Sequence, residues 1–212
     1  MSIRRALVVA TVVASWFSSP LASQTTEKRI VVGPMAGVSI STISGDDVGD
    51  SPFLGSRTGF VGGGFVSFNA NTHVAIEPQL LYAQKGARFS DGFSSAVWAL
   101  DYIEIPLLIK GRYWFGAEAR PVTLNVFGGP AIAFNVHCEL SSTDFSSPCG
   151  DDTMKTAEFS VLFGAGAEYF GFSLQGRYDM SVTNAFSSGP SGEIYAKNRS
   201  WMVTLGYMIP VK

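Results

Sequence analysis

The stretch VTLNVFGGPAIAFNVH, residues 122–137, alternates without a break between two sets of side chains. Val122, Leu124, Val126, Gly128, Pro130, Ile132, Phe134 and Val136 form one set, and Thr123, Asn125, Phe127, Gly129, Ala131, Ala133, Asn135 and His137 the other. A repeat of two puts the sets on opposite faces of a β-strand and fits no helix, whose repeat is about 3.6 residues. Residues 172–182 and 201–209 obey the same rule; in the first, Ser173, Gln175, Arg177, Asp179 and Ser181 oppose the apolar set.

Working outward, eight segments read this way, at about 31–42, 58–69, 73–89, 99–114, 121–137, 157–169, 172–183 and 198–211, and no segment of helical period interrupts them. The class is all-β. Long polar connections at 43–57, 90–98, 138–156 and 184–197 alternate with tight turns near 70–72, 116–120 and 170–171. Long loops at one end and short turns at the other predict an eight-stranded antiparallel up-and-down transmembrane barrel. The segments also exceed the ordinary strand of about 5–6 residues and reach the roughly 9–11 that a tilted membrane strand requires.

Periodicity alone does not say which face lies inside. Closing a two-residue hairpin at Phe170-Gly171 sets Gly164 against Arg177, Gly166 against Gln175 and, on the other face, Phe163 against Tyr178. A turn centred on Asn71 sets Gly63 against Gln79 and Phe60 against Tyr82. Long polar chains opposite glycines suit a cramped polar interior, so the apolar face is expected to meet lipid. In DYIEIPLLIKGR, residues 101–112, Ile103, Ile105, Leu107 and Ile109 then face outward, and Glu104, Lys110 and Arg112 inward. On the preceding strand Glu77, Gln79, Leu81, Ala83 and Lys85 share the inner face. One antiparallel register sets Lys85 beside Glu104 and Glu77 beside Arg112, so that each buried acid finds a base. The expected interior charge network is Glu77, Lys85, Glu104, Lys110, Arg112, Glu168, Arg177 and Asp179. With Gln79 and Phe127 these fill the narrow lumen of an eight-stranded barrel. Pro34, Pro78, Pro106, Pro130 and Pro210 fall inside the strands, where a missing N–H calls for bulges.

The chain has 212 residues, 46% hydrophobic and 15% charged, which suits one folded domain and excludes disorder. Residues 1–23 differ in kind: Arg4 and Arg5, an apolar run over 6–17, then Pro20-Leu21-Ala22-Ser23 have the order of a cleavable signal peptide, leaving 24–212 as the barrel domain. The apolar run is too short for a transmembrane helix of about 20 residues. The export signal and the barrel together predict the outer membrane of a Gram-negative bacterium. The mature chain, with 13 basic and 17 acidic residues, is no nucleic-acid binder.

Cys138 and Cys149 lie in a polar segment of an exported chain, which predicts a disulfide; zinc would need ligands that the neighbourhood lacks. His73 and His137 each stand at a strand end with no Ser/Asp arrangement around them. The acidic runs GDDVGD (45–50) and CGDD (149–152) lack calcium-loop spacing and read as solvated loops. No catalytic, cofactor-binding or metal-binding residue is assigned, and no cofactor. The expected partners are outer-membrane lipid and an extracellular or envelope protein met by the long loops. A lipid-modifying barrel enzyme and a soluble lipocalin-like carrier remain the alternatives at this point.

The motifs GGG (62–64), IEPQLLYAQKGA, LDYIEIPLLIK, FGGPAIA, VLFGAGAEY, LQGRYDMSV and LGYMI resemble the PorT-like outer-membrane β-barrel domain of Bacteroidetes and related bacteria. The resemblance spans nearly the whole mature chain. It implies an eight-stranded barrel and no shared activity, so no catalytic residue carries over. The cysteine pair and the ending Ile209-Pro210-Val211-Lys212, in place of a terminal aromatic, depart from the family's pattern.

Overall fold

The computed structural model describes residues 30–44, 54–90, 95–115, 122–142, 145–149, 156–183 and 197–211. Residues 1–23, the expected signal peptide, lie outside them, as do the acidic runs apart from Cys149, most of loops 43–57 and 184–197, and parts of loops 90–98 and 138–156. The strands are β1 (Ile30–Ser44), β2 (Leu54–Asn69), β3 (Val74–Ser90), β4 (Ser95–Phe115), β5 (Val122–Ser142), β6 (Ser146–Pro148), β7 (Ala157–Tyr169), β8 (Phe172–Ser181), β9 (Lys197–Tyr207) and β10 (Ile209–Val211). Eight of these form an antiparallel ring in the order β1-β2-β3-β4-β5-β7-β8-β9, closed by β9 on β1. β10 continues β9 past Met208 and pairs with the start of β1, while β6 is a short return strand on β5.

The β7–β8 hairpin has the expected register, with Gly164 opposite Arg177, Gly166 opposite Gln175 and Phe163 opposite Tyr178. Phe170 (φ 52°) and Gly171 (φ 80°) supply the two left-handed residues of a turn whose twist matches its strands. Two other registers differ from expectation. Gly63 faces Leu81 rather than Gln79, and Tyr82 faces Gly62 rather than Phe60. The turn there is wider than one centred on Asn71: the Ala70 and Asn71 N–H groups both donate to Val74 O, and the Asn71 side chain accepts from the His73 and Val74 N–H groups. Between β3 and β4, Lys85 faces Leu100 and Glu104 faces Leu81, so the proposed Lys85/Glu104 and Glu77/Arg112 neighbours are not cross-strand partners. Each slip is an even number of residues, which changes partners and leaves the faces intact.

The prolines are not met by bulges. Around Pro78 and Pro106 the ladders skip pairs and resume in the same register, so the missing donors are absorbed as local gaps. Pro34 falls where β1 passes from β10 to β9. The two register shifts lie elsewhere, at Ser56/Val61 between β2 and β3 and at Asp101/Tyr102 between β4 and β5. The first faces Gly86 (φ 128°), where a Cβ would overlap the Trp98 carbonyl oxygen.

Alternation decides what lies on each side. Val38, Ile40, Leu80, Ile105, Leu107, Ile109, Val126, Phe163, Val203 and Leu205 are exposed on the outer wall. Phe68, Tyr113, Phe115, Tyr169, Phe170, Phe172 and Tyr207 form an exposed aromatic belt at the short-turn end, with Phe172 against Tyr207 at 5.3 Å. Inside, apolar clusters around Tyr102, around Phe65 and around Phe127 pack against charged side chains.

Candidate functional site

The lumen is filled by two linked groups of charged residues. Toward the long loops, Glu104 lies 2.6 Å from Lys85 Nζ and accepts from Arg177 Nη2 at 2.8 Å, and Asp179 lies 3.3 Å from Arg177 Nε and 3.7 Å from Lys85 Nζ. Toward the short turns, Lys110 Nζ is 2.6 Å from Glu77 and 3.9 Å from Glu168. Gln79 joins the two, accepting from Arg177 Nη1 at 3.0 Å and donating to Glu77 at 2.9 Å. Inward alternation from β3, β4, β7 and β8 brings these side chains together, because the inner faces of a small barrel converge on its axis.

Several contacts join strands that stand opposite each other in the ring. β3 and β8 are four strands apart either way round, and Arg177 and Gln175 of β8 reach Gln79 of β3 at 3.0 and 3.3 Å. β4 and β9 are likewise opposed, and Asn198 Nδ2 donates to the Tyr102 hydroxyl at 3.1 Å. Such bonds cross the lumen from one wall to the other.

Of the eight expected network residues, Glu77, Lys85, Glu104, Lys110, Glu168, Arg177 and Asp179 meet in this way. The cation 2.6 Å from Glu77 is Lys110 rather than the Arg112 expected beside it, and Arg112 acts on Glu168 instead. The guanidinium turns to the short-turn rim, donating to Asn71 O at 3.2 Å and stacking 5.8 Å from the Trp114 ring. Sequence reasoning also passed over a third cluster, Glu158 with Tyr102, Ser181 and Asn198. Parity would have found it: Tyr102 shares the inner face with Glu104, and Glu158 with Ser160 and Leu162.

At the rims, His73 contacts Thr72 and the edge of Trp114, while His137 lies 3.4 Å from Glu139. The hydroxyl of Ser146, and after it His137, holds exposed Glu139 below the ordinary carboxylate range. Near the long-loop end Tyr82 donates to Asp101 at 2.6 Å, and Arg57 lies 3.9 Å from the same carboxylate. Among the described residues no three His, Cys, Asp or Glu side chains converge as metal ligands.

Cys138 and Cys149 form a disulfide that closes the β5–β6 return, whose ladder pairs Glu139 with Pro148, Leu140 with Ser147 and Ser141 with Ser146. Closing such a loop contributes about 3 kcal/mol at most on the chain-entropy model, and less where the ladder already orders it. The Cys138→Ser/Cys149→Ser protein should therefore fold, keep the heat-shifted gel mobility of a barrel, and lose under about 3 kcal/mol in urea unfolding. Two freely alkylatable thiols in native protein would contradict the bridge.

An apolar belt outside, a charged lumen inside, long strands and a closed ring define an outer-membrane β-barrel; a soluble carrier would need the reverse arrangement. The model of the outer membrane protein beta-barrel domain matches residues 22–187, and the chain belongs to that family. Its location is accordingly the outer membrane of a Gram-negative bacterium. Comparison with curated proteins finds no match. Among solved structures, the chain is similar to Ail, the attachment invasion locus protein of Yersinia pestis, at 16% identity and TM-score 0.46, over 84% of this chain and 98% of that one. It is similar to neisserial surface protein A at 12% and 0.41, over 86% and 97%. For AlkL the values are 12% and 0.43, over 92% and 96%.

Proposed function

We propose that this protein is a plugged, non-enzymatic barrel that serves as a rigid membrane platform for its long loops. The observation that carries the reading is the set of hydrogen bonds between opposite strands, Arg177 and Gln175 to Gln79 and Asn198 to Tyr102. A lumen tied across its width is built for stiffness rather than transport. Loops 43–57, 90–98, 138–156 and 184–197 then carry recognition of an extracellular or envelope protein, the third braced by its disulfide. His73 meets Thr72 and Trp114, and where His137 meets Glu139 the Ser146 hydroxyl donates to the carboxylate and not to the imidazole, which is not the arrangement of a base-activated serine. In this reading residues 1–23 are an export signal, and the PorT-like motifs mark the subgroup of the family.

Planar-bilayer recording tests the plug. Purified protein should give no stable conductance steps of porin size, and their appearance would overturn the proposal. A lipid-A modification assay on membranes producing the protein should show no change in the lipid; a changed lipid would replace the platform with an enzyme.

A further inference from the structure

Among the described residues, the long-loop half of the lumen holds one more carboxylate than its basic side chains meet. Among the described residues its most deeply buried ionisable groups are Glu104, Glu158 and Asp179 against Lys85 and Arg177, each at most 2% exposed, while Arg57 and Asp101 face each other nearer the rim. Glu104 and Asp179 share both cations. Glu158 forms no ion pair among the described residues. It accepts from Asn198 Nδ2 at 2.7 Å, Tyr102 OH at 2.9 Å and Ser181 Oγ at 3.0 Å. All three partners can donate to it, and two of them are hydroxyls. A buried charge of this kind is too costly to leave without a counter-charge.

A second observation falls on the same wall. Ser160 Oγ, Asn198 Oδ1 and Ser200 Oγ are buried without any hydrogen-bond partner, and both Asp179 oxygens accept none beyond their ion-pair contacts. The ladders gather them: Ser160 faces Ser181 across β7–β8, Asp179 faces Ser200 across β8–β9, and Asn198 and Ser200 share one face of β9. Glu158 and Ser160 likewise share the inner face of β7. Carboxylate, amide carbonyl and hydroxyl oxygens are the donor set of a hard cation. A single unmet charge, with no group of three His, Cys, Asp or Glu ligands among the described residues, suits a monovalent one.

We propose that this patch of β7, β8 and β9 binds an alkali-metal cation, held by Glu158, Asp179, Asn198, Ser160 and Ser200. The ion meets the unmet charge and ties three neighbouring strands together. Sodium is the probe. Full-length barrel in detergent is unfolded in urea while Na⁺ replaces choline at constant ionic strength, with K⁺ as a comparator. The midpoint should rise saturably with Na⁺, the unfolding constant falling about 100-fold at a hundred times the dissociation constant. Glu158→Gln should abolish the dependence. Ser200→Ala, which keeps every charge, should move the curve to higher Na⁺, and it carries the test if the first variant does not fold. A wild-type midpoint equal in Na⁺, K⁺ and choline would overturn the proposal, as would a Ser200→Ala curve that superimposes on wild type. So would a loss of the effect on adding EDTA, which would make the ion divalent.

Discussion

Replacing Arg177 by methionine should destabilise the barrel by about 3–5 kcal/mol, the cost of removing one partner from a buried ion pair. Arg177 is 2% exposed and contacts Glu104, Asp179, Gln79 and Met202. Methionine keeps much of the stem's packing, so the loss isolates the guanidinium. Without it, Lys85 alone faces Glu104 and Asp179. Adding Asp179→Asn restores one cation to one carboxylate, and the double variant should recover at least about 1 kcal/mol of the loss. Equilibrium urea unfolding of wild type and both variants in detergent measures this. A loss under about 1 kcal/mol for Arg177→Met would mean that water reaches the guanidinium and the lumen is not sealed at that level.

The division between what the sequence disclosed and what it withheld follows from the geometry of strands. Inside and outside are encoded by parity, and parity survives any even slip. Ile103, Ile105, Leu107 and Ile109 therefore lie outside and Glu104 and Lys110 inside, although the β3–β4 register differs from the one that charge pairing suggested. Register is set by turns. The Phe170-Gly171 hairpin is short enough to fix its ladder, and every partner read from it is present. The turn after Asn69 is wider, because the Asn71 side chain caps two N–H groups, and nothing in its composition announces that width. Pairs of the lumen were hardest to read, because curvature brings together residues from strands far apart in the chain. The bond from Arg177 to Gln79, between opposite strands, has no sequence signal beyond both residues facing inward. The Gly164 argument was right about the face and not about the cause: a Cβ there would overlap the Gly176 carbonyl oxygen and the Phe127 ring, so the glycine makes room for backbone and an aromatic, and Arg177 opposite is not among its nearest neighbours.

Charge reversal at Lys85 and Glu104 should show strong coupling even though their backbones are not paired. Lys85 lies four residues along β3 from Leu81, the residue opposite Glu104, and its long stem still brings Nζ to 2.6 Å from Oε2. Lys85→Glu alone sets a second carboxylate against Glu104 and a third near Asp179. Glu104→Lys alone sets a third cation among Lys85 and Arg177. Each should cost the barrel several kcal/mol, on the order of a broken buried pair. The double variant restores opposite signs at the shortest contact and leaves like charges at two longer ones, so it should recover part of the loss, with a coupling of about 1–3 kcal/mol. The coupling should persist in 1 M salt, about a 3 Å screening length, because both side chains are shielded from solvent. Urea unfolding of the four proteins at low and high salt reads both quantities. Additive losses would place the stabilising partner of Glu104 at Arg177 alone, and coupling that vanishes in salt would mean that the lumen is open to ions.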